Sequence, residues 1–138
     1  MNKAEFEQLA EIRIREAEIL LNNGCYHGAY YLAGYALECT LKACIAKHVK
    51  AFDFPDLNLV RDSWVHDLNK LLRPAQLHQD LTEKEKQDLD FAINWAQASA
   101  WSEKSRYDCN IEKEQAEDLF NAITNSESGI LPWLQNYL

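Results

Sequence analysis

The segment that most constrains the fold is the apolar stretch from Tyr26 to Val49, which has the length of a helix and is apolar on almost every side. A helix of this length is roughly 35 Å long, enough to cross a small domain. Six small residues reduce the bulk of its side chains and let neighbouring helices approach closely: Gly28, Ala29, Ala33, Gly34, Ala36 and Ala43. The stretch is therefore predicted to be a central helix with several helices around it.

A first helix is predicted before it, from Lys3 to Asn23, because apolar residues recur there every three or four positions. The residues Asn22–Gly24 tolerate the left-handed conformation that often ends a helix. The next helical pattern begins within a few residues. The first two helices are therefore expected to form a tight antiparallel hairpin.

After the central helix, the stretch Lys50–Trp64 contains Pro55 and has no sustained period, so it predicts a loop with at most one short turn. A short helix is predicted over His66–Arg73. The pattern Thr82-x-x-Glu85 is typical of a capping box and predicts a long helix that runs to about Trp101. The inner stripe predicted for that helix is Leu89, Ala92, Ile93, Ala96 and Ala100, widened by Phe91 and Trp95.

Two more helices are predicted towards the C-terminus, over Ile111–Thr124 and Ile130–Leu138. The first should bury Ala116, Leu119, Phe120 and Ile123. The second is expected to leave Trp133, Leu134 and Tyr137 as an exposed apolar surface. No stretch alternates with period two, so the predicted fold is all-α: one up-and-down helical bundle over residues 1–138, with four principal helices and short ones.

Charge and cysteine content limit the function classes. The formal net charge of −8 works against non-specific binding to a phosphate backbone, so any nucleic-acid site must be local. The four cysteines form no CxxC pair, so neither a zinc site nor another metal or cofactor is predicted. The acidic N-terminus lacks a secretory pattern, and no apolar run is long enough to span a bilayer, so we expect a cytoplasmic location with no membrane contact.

Glu38 is the one acid in the middle of the central helix. It either reaches Lys42 along an exposed strip or is buried, in which case it must be paired, because an unpaired carboxylate in a core costs several kcal/mol. For a buried Glu38, Arg106 is the first choice of partner, and Lys42 and His66 are lesser candidates.

Metal-free cleavage of a phosphodiester needs a proton acceptor and a fixed cation, roles suited to histidine and arginine. The spacing Arg-x4-His occurs once, at Arg61–His66, but His66 could equally begin a helix and bond its first turn. Tyrosines such as Tyr35 and Tyr107 could stack on bases, or could belong to the core with their hydroxyl groups at its rim.

The chain resembles the HEPN domain family. The resemblance rests on the Gly-x-Tyr-x-Gly-Ala pattern of Gly24–Ala29, on YYLAGYALECTLKA at Tyr30–Ala43, on HDLNKLL at His66–Leu72, and on WSEKSRY at Trp101–Tyr107. It implies a helical bundle that is commonly a homodimer and is often encoded beside a minimal nucleotidyltransferase as a toxin and antitoxin pair. Many members are metal-independent ribonucleases with a late Arg-x4-6-His motif, whose two copies face each other across the dimer.

This chain departs from that motif, because no histidine follows Arg106. The resemblance then favours a HEPN-like protein that binds RNA, a nucleotide or a partner protein, with Arg106 and Tyr107 as the contacts, Glu38 orienting the arginine, and Tyr35 nearby. The alternatives are a ribonuclease toxin, in which Arg106 stabilises the phosphate and His66 is the base, and an ancillary subunit of a nucleotidyltransferase.

Overall fold

In the computed structural model, which describes residues 1–138, the chain is helical and has no strand, so the prediction of an all-α bundle is confirmed. The helices are α1 Lys3–Asn22, α2 Tyr26–Ala46, α3 Leu57–Ser63, α4 Leu68–Leu71, α5 His78–Gln87, α6 Leu89–Ser99, α7 Lys113–Thr124 and α8 Ile130–Gln135. A 3-10 helix, Glu103–Tyr107, lies between α6 and α7. None of the helices combines the length and the apolar character needed to cross a bilayer.

The helices α1 and α2 form the predicted hairpin. A capping box starts α1: Asn2 Oδ1 accepts the backbone N–H of Glu5 at 2.9 Å, and the Glu5 carboxylate accepts the backbone N–H of Asn2 at 2.8 Å. At the other end Gly24 has a φ of 75°, a left-handed conformation that costs glycine little. The chain can therefore reverse within three residues and lay α2 along α1.

Helix α2 is the predicted centre of the fold. It contacts α1, α4, α7, α8 and the 3-10 helix, and 13 of its 21 residues are buried. The closest approach is at Gly34, where an added Cβ would overlap the indole ring of Trp101. The small residues of α2 therefore do what the sequence predicted, since they let other elements lie directly on its backbone.

The connection Val49–Trp64 contrasts with α2, and we call it the aromatic arm. It holds α3, a seven-residue helix where the sequence predicted only a short turn. This helix begins where the Asp56 carboxylate accepts the backbone N–H groups of Asn58 and Leu59. No residue of α3 is buried. Six large apolar side chains of the arm are exposed: Val49, Phe52, Phe54, Leu57, Val60 and Trp64.

The prediction of one long helix over Thr82–Trp101 is wrong, because the chain forms two helices that meet at Asp88. The backbone of Asp88 is extended, and its carboxylate accepts the N–H of Phe91 at 3.0 Å and the hydroxyl of Ser128 at 2.9 Å. These two bonds lower the pKa of Asp88. Thr82 lies inside α5, so the helix start predicted there is replaced by a cap six residues later.

The buried face predicted for this region is right for Phe91 and Trp95 and wrong for Leu89, Ile93, Ala96 and Ala100. Phe91 and Trp95 are buried in α6, whereas Leu89 and Ile93 are 73% and 57% exposed. The aromatic residues of α6 face the interior because their side chains bury more apolar area than leucine or isoleucine. Phe91 packs edge-to-face on Trp133, with 5.2 Å between ring centroids. The apolar residues left on the outer face of α6 are called the α6 stripe: Leu89, Ile93, Ala96 and Ala100.

The two C-terminal helices complete the core. In α7 the residues Ala116, Leu119 and Ile123 are buried as predicted, whereas Phe120, which was also predicted to be buried, is half-buried. In α8 the residues Trp133 and Leu134 are buried, so the prediction of an exposed apolar surface there is wrong. It is absent because α8 packs against α2, α6 and α7 with these side chains inward.

Candidate functional site

Glu38 is buried in the middle of α2, with 2% of its surface exposed, and is paired. Its Oε1 accepts hydrogen bonds from Lys42 Nζ at 2.8 Å and from His66 Nδ1 at 2.9 Å. The prediction that Arg106 pairs with Glu38 is wrong, because the two lesser candidates, Lys42 and His66, bond to this oxygen. Arg106 lies on the 3-10 helix, which meets α2 about two turns closer to its N-terminus, beside Tyr31.

His66 is positioned by the start of α4. Asp67 caps that helix, since its carboxylate accepts the backbone N–H groups of Asn69 and Lys70. The histidine is therefore not the capping residue, and its ring is free to turn towards Glu38. Because a carboxylate accepts at Nδ1, the neutral ring carries its proton there and presents an unprotonated Nε2. The side chain is 55% exposed, so solutes can reach it.

The second oxygen of Glu38, Oε2, is buried without a hydrogen-bond partner. A buried lone oxygen of this kind is costly unless its charge is balanced nearby. The charge is balanced by Lys42 of the same helix, on the other oxygen, and a hydrogen bond from His66, in the connection before α4, adds to the stabilisation of the carboxylate. Loss of either partner would leave the carboxylate less compensated.

Two tyrosines lie on the same side of α2, one turn apart. The rings of Tyr31 and Tyr35 are stacked, with 6.1 Å between centroids and 9° between planes. The indole of Trp101 lies 6.2 Å from the Tyr31 ring, over the backbone at Gly34. Both tyrosines are half-buried, so one edge of this stack is open to solvent.

The hydroxyl of Tyr35 and the thiol of Cys39 are neutral neighbours one turn apart. Burial raises the pKa of Tyr35, and the nearby thiol and Glu38 add to the shift. Burial also raises the pKa of Cys39 to about 11. Neither group supplies a nucleophile or a negative charge at neutral pH, so the chemistry of this surface depends on its cations and on His66.

The 3-10 helix adds a cation and an exposed ring. The guanidinium of Arg106 lies over the ring of Tyr107, with 4.9 Å between Cζ and the ring centroid. The hydroxyl of Tyr107, and after it that of Tyr31, raise the pKa of Arg106, so the side chain is always charged. Tyr107 itself is 74% exposed and presents a ring face that a planar ligand can stack on.

We call these residues the site face: Tyr31, Tyr35, Lys42 and the buried Glu38 on α2, with His66 bonded to Glu38 and with Arg106 and Tyr107 on the 3-10 helix that packs on α2. The sequence had named five of these seven residues as candidates. The sequence reasoning did not assign Tyr31 and Lys42 to the site. Their spacing from Tyr35 and Glu38, four residues in each case, is the signal that identifies them, because residues four apart share a helix face.

The site face differs in charge from the rest of the molecule. It carries Lys42, Arg106 and His66 together with one buried carboxylate, in a chain of formal net charge −8. By contrast, Arg61, which the Arg-x4-His spacing had pointed to, is an exposed residue of α3.

Comparison with known families assigns nearly the whole chain. The HEPN domain family model matches residues 5–125. No significant match is found among curated proteins or solved structures. The match includes most of α1, all of α2 and α7, and every residue of the site face.

Proposed function

This chain belongs to the HEPN domain family, and we propose that it binds single-stranded RNA or a nucleotide on the site face. The observation that carries the proposal is an arginine that lies close both to an exposed tyrosine and to a pair of stacked tyrosines. Arg106 lies over the exposed ring of Tyr107 and close to Tyr31, whose half-buried ring stacks on that of Tyr35. Proteins that bind single strands combine such rings with nearby cations.

Magnitudes support a small ligand or a short strand. Stacking of one base on an aromatic side chain contributes about 1–3 kcal/mol, so one or two rings give only weak binding without ionic help. Arg106 and Lys42 supply that help locally, while the overall charge of −8 repels a long polyanion. We therefore expect an affinity that falls with salt with the shallow slope of one or two phosphate contacts.

The test is fluorescence anisotropy with a labelled single-stranded RNA, with ATP and AMP as competitors. Arg106→Ala and Tyr107→Ala should each weaken binding about 10-fold, the loss of one contact of about 1.4 kcal/mol. Lys104→Ala is the matched control, since it removes an exposed cation of the same 3-10 helix that contacts neither tyrosine ring. Equal losses in all three variants would contradict a specific site, and so would the absence of binding by the wild type.

The second candidate is a metal-independent ribonuclease, favoured by the bond between Glu38 and His66. The carboxylate accepts from Nδ1, so the neutral imidazole has an unprotonated Nε2, as a general base requires, and the side chain is 55% exposed. Arg106 would stabilise negative charge on the phosphate. The two groups contact α2 at Tyr31 and Glu38, about 10 Å apart along the helix axis, so a substrate would have to extend over this length.

Incubation with total RNA in the presence of a chelator tests this candidate. Loss of cleavage in both His66→Ala and Arg106→Ala would establish it, provided that His78→Ala, a histidine outside the site face, cleaves normally. Glu38→Gln should then shift the pH profile of cleavage, because it changes the group that orients the imidazole. No cleavage by the wild type would exclude the ribonuclease and leave the binding module.

A nucleotidyltransferase partner and a role in a toxin–antitoxin or defence system remain predictions from the family resemblance. We propose co-expression of the two chains as the test. Co-purification together with unchanged RNA affinity of the Arg106→Ala variant would favour the ancillary-subunit alternative over the binding module.

A further inference from the structure

A long groove runs between α1 on one side and α7 and α8 on the other. Its main part has a volume of about 620 Å³, and a smaller hollow of about 110 Å³ continues it along α1. The two parts are continuous, because four residues line both of them: Glu11, Ile14, Leu131 and Gln135. On α1 the lining extends from Glu7 to Glu18, which is about 16 Å along the helix axis. The groove is therefore elongated, with the length of about three helical turns.

This groove lies on the far side of α2 from the site face. Thr40 lines the end of the groove, whereas Glu38 belongs to the site face. The two residues point about 160° apart around the axis of α2, because each residue turns a helix by about 100°. No residue of the site face lines the groove. An occupant of the groove would therefore leave the proposed RNA site open, and the two sites can be tested separately.

The floor of the groove is apolar and is only half covered by the chain itself. Ile14, Phe120, Leu131 and Leu138 pack against the core and are half-buried. Phe120 is not fully buried in α7 because part of its side chain lines this groove. A concave apolar surface of this length is the kind of surface on which the apolar face of a helix binds.

Three exposed charges on α1 form one wall of the groove, in the order acid, base, acid: Glu11, Arg15 and Glu18. None of the three makes an ion pair within the chain, although nearby residues of α1 do, since Lys3 pairs with Glu7 and Arg13 with Glu16. Along the helix axis Arg15 is about 6 Å from Glu11 and about 4.5 Å from Glu18. These three charges are therefore available to a partner at defined spacings.

We propose that the groove binds an amphipathic helix of another protein, whose apolar face lies on the floor and whose edge carries the opposite order of charges: base, acid, base. A helix that lies along α1 repeats the spacing of α1, since residues three and four apart share a face on both. One basic residue then reaches Glu11, an acid reaches Arg15, and a second basic residue reaches Glu18. Apolar side chains three, four and seven residues apart contact the floor.

Nucleic acid and a second copy of the chain fit the groove less well. The glutamates of the wall would repel a phosphate backbone. If two copies met here about a two-fold axis near Arg15, their α1 helices would be antiparallel, and Glu11 would lie opposite Glu18 of the partner subunit. Like charges would then meet along the whole contact, which disfavours that pairing. A helix with two basic residues avoids both conflicts, and the net charge of −8 also attracts it.

Peptide binding measured by fluorescence anisotropy tests the proposal. The probe is a labelled helical peptide of about 18 residues, with leucines three and four residues apart on one face and the order lysine, glutamate, lysine along its edge. The matched control peptide has glutamate, lysine, glutamate at the same positions. The first peptide should bind at micromolar concentration, and the second at least about 10-fold more weakly, because like charges then meet. Equal affinities would overturn the proposal, and so would the absence of binding of the first peptide at about 1 mM.

Exchange of the charges on the wall should exchange the preference. The variant Glu11→Lys, Arg15→Glu, Glu18→Lys should bind the control peptide more tightly than the first peptide. The matched control variant is Asp53→Lys, which makes the net charge less negative by the same two units at a residue outside the groove, and it should keep the wild-type preference. All four positions are exposed, so both variants should fold. An unchanged preference in the triple variant would overturn the proposal.

Amide chemical shifts of isotope-labelled protein locate the bound peptide. The first peptide should shift the amides of Phe120 and Leu131 and leave those of Tyr31 and Tyr35 in place. Shifts centred on the site face would overturn the proposal, and so would groove shifts that appear on concentrating the protein alone, since these would assign the groove to a second copy. RNA affinity should be the same in the triple variant and in Asp53→Lys, and a failure of RNA binding would refute the site-face function without affecting the groove.

Discussion

Helix α2 and the aromatic arm are both rich in large apolar side chains, yet the chain buries one and exposes the other. In α2 the apolar residues are interrupted by alanine and glycine, and even the carboxylate of Glu38 is buried. In the arm, bulky rings are interrupted by aspartates, and α3 packs only the half-buried Leu59 against the core, with no residue fully buried. The difference lies in how closely a neighbour can approach. Five elements pack on α2 because its small side chains leave its backbone accessible, whereas the large rings of the arm project into solvent.

This comparison separates hydrophobicity from packing. Burial within one chain requires a complementary surface in the same chain, and small residues such as Gly34 create it. The arm has the bulky apolar residues of a buried segment but few small ones, so apart from Leu59 its large side chains stay in solvent.

Thiol labelling gives the largest expected effect. Cys39 and Cys44 on α2 are buried, and burial raises the pKa of each to about 11, whereas Cys25 and Cys109 are exposed. Because the thiolate is the reactive form, an aromatic disulfide reagent at pH 8 should label two thiols at least about 1,000-fold faster than the other two. All four should react rapidly in denaturant, and a third fast thiol in the native protein would contradict the packing of α2.

Substitution of Gly34 by alanine should destabilise the protein most among single changes in α2. The added Cβ overlaps the indole of Trp101, so the free energy of unfolding should fall by about 2 kcal/mol or more. Gly28→Ala is the control, because its Cβ meets only a methyl group of Leu20, at 3.0 Å, and alanine favours the helix by up to about 1 kcal/mol. Urea titration measures both, and equal losses would mean that Gly34 has no special role.

Removal of the charge of Glu38 should have a smaller effect. Glu38→Gln keeps the shape of the side chain but removes the negative charge that accepts both hydrogen bonds and leaves the Lys42 ammonium without a counter-charge, so the free energy of unfolding should fall by about 1–2 kcal/mol. The matched change Glu18→Gln, at an exposed residue of α1, should have almost no effect. A variant as stable as the wild type would show that Lys42 and His66 do not stabilise the carboxylate.

Changes in the aromatic arm should affect stability least. At concentrations where the protein is monomeric, Phe52→Ser with Phe54→Ser should change the free energy of unfolding by no more than about 0.5 kcal/mol, since these rings contact solvent. A loss of several kcal/mol in dilute protein would mean that the arm packs on its own chain, and would remove the contrast with α2.

Part of the site followed directly from the sequence. Glu38 stood out as a lone acid in an apolar helix, and the rule that a buried carboxylate needs partners predicted that it would be paired. The choice of partner was wrong, because Arg106 and His66 are 68 and 28 residues away along the chain and spacing carries no information at such range. Only the placement of α4 and of the 3-10 helix on α2 decides which cation reaches Glu38.

The sequence by itself determined the local structure: an all-helical chain, the α1–α2 hairpin closed by Gly24, the central position of α2, and the buried face of α7. These depend on residues a few positions apart, whose spacing the helix geometry fixes. The tertiary structure alone decided the rest. It broke the predicted long helix where Asp88 could bond Ser128, and it turned α6 so that Phe91 met Trp133. It also joined His66 to Glu38 and left the aromatic arm in solvent, because such outcomes depend on competition among distant surfaces for the same interior.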